Sequence, residues 1–251
     1  AVPEQSVHHG DLGQISYLGV PVGKRGYGNV RVREALSLAI DRDAITGSLL
    51  QGAASASTDI LPVGTKGHRD DGCSACSYDP AKAKALWQES GGVPHNTVDL
   101  SYSKDGMHKQ EMEAVAQDWR ETLGVKVVPH PVSTSDFYQQ LANQTVKGVY
   151  FTAFVPDYPA ASGYLDNLFG AGWGNYNDWR DDSFDAAVKA GNASSLDDSI
   201  ALYAKAATIV SEQLPVIPLW DVQNTYLVGK DVTDVTYDPM LQLQLQNAYA
   251  R

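Results

Sequence analysis

Asn29-Val30-Arg31-Val32-Arg33-Glu34-Ala35-Leu36-Ser37-Leu38-Ala39-Ile40-Asp41-Arg42-Asp43 is the stretch from which the fold is read. Asn29 is a good helix cap, and Ala35, Leu38 and Ala39 fall on one face of a helix expected from about Val30 to Ile40. Asp41 then serves as a second cap, opening a helix that ends near Gly52. Before this pair, residues 13–20 (Gly-Gln-Ile-Ser-Tyr-Leu-Gly-Val) read as a strand that runs into a glycine-rich loop.

Outward from there, strands and helices alternate. Residues 53–78 form a long loop. Asp79-Pro80 is a strong helix start, a capping carboxylate with proline at the first helical position, and that helix stops at Gly91-Gly92. A strand at 97–102, a helix at about 106–123, a strand at 125–128 and a short helix capped by Ser133 or Ser135 follow. Gly148 to Phe154 reads as a buried strand. The chain is then irregular and aromatic through about Trp179. Helices resume at 183–190 and 196–213, and two strands are expected at 215–220 and 224–228. Such alternation predicts an α/β layer fold with some parallel pairing.

Composition narrows the possibilities. With 251 residues and 43% hydrophobic content, the chain is able to bury roughly 70–75% of its unfolded surface and needs no metal or disulfide scaffold. The net charge of −11 argues against nucleic acid as a partner, because phosphate neutralisation needs a basic stripe. No run approaches the ~18 uninterrupted apolar residues of a membrane span. Cys73 and Cys76, in a loop rich in Gly and Asp, read as a local disulfide, which would imply an oxidising compartment. Free thiols, redox or metal chemistry are the other readings.

Several motifs, taken in order, resemble one family. Val32 to Asp43 is similar to the V-R-x-A-L-x-x-A-I-D-R-x segment of the family 5 extracellular solute-binding proteins, the peptide- and nickel-type receptors of ABC importers. Tyr78-Asp79-Pro80-Ala81-Lys82-Ala83-Lys84-Ala85-Leu86 resembles its Y-D-P-x-K-A-K-x-L helix start. Asp157-Tyr158-Pro159 resembles its D-Y-P loop, Ser183-Phe184-Asp185 its x-F-D helix start, and Leu214 to Leu219 its P-V-I-P-L strand. Each motif alone is weak; five in order are not. The family often continues D-Y-P-D-P, whereas this chain reads Asp157-Tyr158-Pro159-Ala160-Ala161, a departure that bears on the peptide assignment.

The resemblance implies a type II periplasmic-binding-protein-like lobe, a mixed sheet flanked by helices. It matches the C-terminal half of a two-lobed protein about twice this length. Residues 13–228 are then the ligand-binding lobe, with 1–12 and 229–251 crossing to the other lobe. It also implies a monomeric, extracytoplasmic receptor, in the periplasm or as a cell-surface lipoprotein. Such a receptor binds a small solute, a peptide first, without cofactor, and hands it to importer permease subunits. Asp157 is the expected contact for a ligand ammonium, with Phe154, Tyr158, Trp173 and Tyr176 as aromatic walls. A sensing role and a serine acyl hydrolase are the other classes. The hydrolase would use Ser101-Tyr102-Ser103-Lys104, but this S-x-x-K string sits at a strand end rather than a helix start.

Overall fold

The computed structural model describes residues 7–158, 160–172, 174–239 and 242–250. One six-stranded mixed sheet organises them. Its strands are β1 (Val7–Gly19), β2 (Ala54–Ala56), β3 (Thr97–Ser103), β4 (Lys126–Val132), β5 (Val149–Phe154) and β6 (Val216–Leu227), in the order β2-β6-β1-β5-β3-β4. β3 is parallel to both β4 and β5, while β1 is antiparallel to β5 and β6. β4 carries Pro129 and Pro131. A proline-bearing strand is tolerated at a sheet edge, where no ladder donor is needed on the outer side.

Alternation along the strands sends side chains into two cores. Leu18, Leu100, Val149, Phe151 and Ile217 pack on one face, beneath α1 (Val30–Leu38), α3 (Pro80–Ser90) and α4 (His108–Leu123). Ile15, Tyr17, Tyr150 and Phe154 pack on the other, beneath α5 (Thr134–Ala142), α6 (Ala161–Leu168), α7 (Asp182–Asn192) and α8 (Leu196–Gln213). α2 (Arg42–Ile45) continues into a wide helical turn at Thr46–Leu50. The caps are local: Asn29 accepts from Arg31 N, Asp41 from Ala44 N, Asp79 from Lys82 N, Ser133 from Asp136 N and Ser195 from Asp198 N.

Several expectations change, beginning with the long loop at 53–78, which contains β2. The two terminal strands are a single strand, β6, because the polar residues between them stay paired with β1. The first strand begins at Val7, not 13, for the same reason. The stretch from 155 to 179, expected to be irregular, contains α6.

The motif around residue 33 has a physical basis in two buried arginines. Arg33 Nε and Nη2 donate to Gln213 O at the end of α8 (2.8 and 2.5 Å), and Nη1 donates to Tyr27 O (2.6 Å). Arg42 Nε donates to Pro218 O in β6 (2.8 Å), and Nη1 to Ser37 O (3.0 Å) and Cys76 O (2.9 Å). Burial lowers both guanidinium pKa values, to about 10 for Arg33 and about 9 for Arg42, so both stay charged at neutral pH. The sequence segment is thereby fastened to residues nearly 180 positions away. Cys73 and Cys76 stand joined beside this staple, both nearly buried. Arg42→Met removes the guanidinium's bonds to these carbonyls and is expected to cost about 3–5 kcal/mol in urea unfolding. A loss below about 1 kcal/mol would remove the staple from the account.

Candidate functional site: the edge where the parallel strands end

β3, β4 and β5 point the same way, so their C-terminal ends share one edge of the sheet. β1 and β6 pass this edge and continue. Ile15 pairs with Phe154, the last residue of β5, whereas Val7 to Asp11 pair only with Gln223 to Leu227 of β6. A two-stranded ribbon therefore leaves the sheet beside the loops that follow the parallel strands. Ligands of open α/β sheets bind at such carboxyl ends.

The ribbon bends where it leaves. The pairing shifts register between Asp11 and Ile15, with Gly13 in the left-handed region (φ 63°), as a bulge requires. Tyr164 of α6 donates its hydroxyl to Gly13 O at 2.5 Å. Opposite the bulge, Asp221 is buried; Ser57 Oγ donates to one of its oxygens (2.6 Å) and Val63 N to the other (3.2 Å). Burial nevertheless raises its pKa to about 6.

The loop after β5 carries Asp157. Its root is fixed: Phe154 is 8% exposed and packs edge-on to Tyr164, ring centroids 6.1 Å apart. Its far side lies on Gly163 of α6, where a Cβ would stand 3.0 Å from Pro156 Cβ and 3.2 Å from Tyr158 O. Asp157 is exposed and makes no hydrogen bond or ion pair with the described residues. Val155 and Tyr158 on this loop, and Met107 on the turn after β3, are exposed large apolar side chains. The neighbouring carboxylate Asp105 is occupied. Thr134 Oγ1 and N both donate to it (N at 3.2 Å), and these bonds hold it below its usual pKa.

The expected site residues thus divide. Asp157 and Tyr158 stand together at this edge, and Phe154 is the core anchor beneath them. Tyr176 lies at the opposite edge, lining a cavity of about 200 Å³ with Pro21, Lys24, Val146 and Tyr150. Trp173 lies outside the described residues. Ser101 is buried and donates to Lys147 O (2.7 Å), and the S-x-x-K string runs along β3 and the turn after it. Among the described residues no three His, Cys, Asp or Glu side chains converge to hold a metal, and no helix is long and apolar enough to cross a membrane. Asp221 and the head of α4 were not anticipated, although a glutamate (Glu111) on α4's buried stripe was visible in the helical spacing.

A mixed sheet covered on both faces, with an antiparallel ribbon leaving the edge where the parallel strands end, fits the periplasmic-binding-protein-like class. The chain belongs to the bacterial extracellular solute-binding proteins, family 5, whose middle-region model matches residues 2–176. A dipeptide-binding protein of Escherichia coli is 26% identical, the match covering 93% of this chain and 45% of that protein. Heme-binding protein A of Haemophilus influenzae is 27% identical over 82% of this chain and 39% of its own length. The solved structure of HbpA2 from Haemophilus parasuis superposes with a TM-score of 0.89 at 21% identity, covering 98% of this chain and 50% of that one. The chain spans about half the length of the relatives it matches or less.

Asp221 makes stability depend on pH. Its folded pKa is raised above the unfolded carboxylate value, so its contribution is fully present below about pH 4 and is lost as pH rises through about 6. Between pH 4 and 8 the loss is about 3 kcal/mol at most. In urea unfolding, Asp221→Asn should flatten the pH profile across this window; an unchanged profile would contradict the assignment.

Proposed function

We propose that this chain is the C-terminal lobe of an extracytoplasmic solute receptor for small peptides, serving an ABC importer. One observation carries the reading: an exposed carboxylate, Asp157, stands without a partner on a loop pinned to α6, at the edge from which the β1/β6 ribbon leaves. A carboxylate so placed suits the α-ammonium of a peptide. The dipeptide-binding relative supports that choice. The heme-binding relative is a reminder that the scaffold does not dictate the pocket.

In this reading residues 13–228 form the lobe, while 1–12 and 229–251 cross to or pack on a second lobe. Solute bridges the lobes, closure shifts the population toward a closed form, and permease subunits recognise that form. No bond is made or broken. The receptor acts as a monomer outside the cytoplasm, in the periplasm or tethered by a lipid, where the Cys73–Cys76 pair stays oxidised.

Energetics require the second lobe. A charge-assisted hydrogen bond contributes about 1.5–3 kcal/mol, whereas micromolar affinity needs about 8 kcal/mol. Asp157→Asn in the two-lobed receptor should weaken a dipeptide with a free amino terminus about 10–100-fold by calorimetry, and leave its N-acetylated form within about twofold. Equal effects on both peptides would remove Asp157 from the ammonium site.

A further inference from the structure

α4 begins just past the C-terminal end of β3, so its first turn overhangs the same edge as Asp157. The sheet-facing stripe of this helix runs Glu111, Val115, Trp119, and Glu111 is its member nearest the edge. Val115 and Trp119 are ordinary core residues. Glu111 is not: it is 8% exposed, its Oε2 is buried with no hydrogen-bond partner, and no cation among the described residues pairs with it. A buried carboxyl with neither donor nor counter-charge is costly. Burial alone raises its pKa to about 7.

The surroundings favour a ligand over a structural partner. His108, one turn earlier, sits edge-on to Phe151 with centroids 5.1 Å apart, and its Nδ1 is likewise buried without a partner. Phe151 in turn packs against Trp220 (5.9 Å), so the neighbours of His108 on the sheet are apolar. The carboxylates at the turns after β3 and β4 are already satisfied: Asp105 by Thr134, and Asp136 by Ser133 Oγ at 2.6 Å. Asp157, on the loop after β5, and Glu111, in the first turn of α4, have no such partner among the described residues. An exposed carboxylate and a buried, unpartnered one at the same edge match a ligand with two separated cations.

We infer that Glu111 forms a second anionic subsite, which takes the guanidinium or ammonium of a basic ligand side chain, while Asp157 takes the main-chain ammonium. The substrate class is therefore short peptides with a basic residue. This rests on the peptide-receptor reading above. Unpaired Glu111 meets the cation in a site of low polarity, where a charge-assisted bond is stronger than in water. An apolar side chain of equal length leaves the carboxyl unsatisfied.

The test is carbonyl-detected NMR on the two-lobed receptor, labelled at its Asp and Glu carboxyls, titrated at pH 7.5 with Ala-Arg and with Ala-norleucine. The expected result is that the Asp157 carboxyl responds to both peptides and the Glu111 carboxyl to Ala-Arg alone. Glu111→Gln should then weaken Ala-Arg at least tenfold and leave Ala-norleucine within twofold. If Asp157 responds to both while Glu111 responds to neither or equally to each, the second subsite is overturned and the receptor reading survives. If neither carboxyl responds to either peptide, both are overturned.

Discussion

The pairing of β1 with β6 is the constraint on which the rest of the structure depends. It joins residues 7–19 to residues 216–227, the two ends of the described lobe, across nearly its whole length. Both are interior strands of the sheet, and each supplies side chains to the two cores. Forming this pair carries a large loop-closure cost before any contact offsets it. The buried arginines help to offset it: Arg33 and Arg42 tie the first helices to the end of α8 and to β6. Through the same contacts a short sequence motif near residue 33 stabilises the closure of the chain.

That pairing also decides where chemistry is possible. Because β1 and β6 run past β5, the ribbon and the loops after the parallel strands share one edge. The bulge at Gly13 turns the ribbon as it leaves, and Tyr164 links that bulge to the root of the Asp157 loop. Tyr164 thus touches both the bulge of the ribbon and the root of the loop that carries Asp157.

Much of the architecture was legible because it is written in local physics. Asp79-Pro80 and Ser195 mark helix starts by their capping chemistry, and the interior strands read as runs of bulky residues. What was hidden lacked such signals. Ala54-Ser55-Ala56 is too short and too small to show alternation. α6 begins at Ala161 without a side-chain cap and contains Gly163, so its sequence resembles a loop. The outer halves of β1 and β6 are polar because the ribbon is solvated on its faces. Asp157 and Tyr158 were singled out through their motif, but position along the sheet was not readable. Phe154 faces the core because Thr152 and Tyr150 share its side of β5, and Tyr176 follows the chain back to the far edge. Glu111 and Asp221 escaped notice because the burial of a carboxylate is set by neighbours distant in sequence.

The central claim is that these residues are one lobe of a closing receptor. It is tested most directly by the intact mass of the natural gene product from the cell envelope or secreted fraction. The account predicts a mass near twice the 27.1 kDa of this chain. A mass near 27.1 kDa would contradict it, because a single lobe has nothing to close upon.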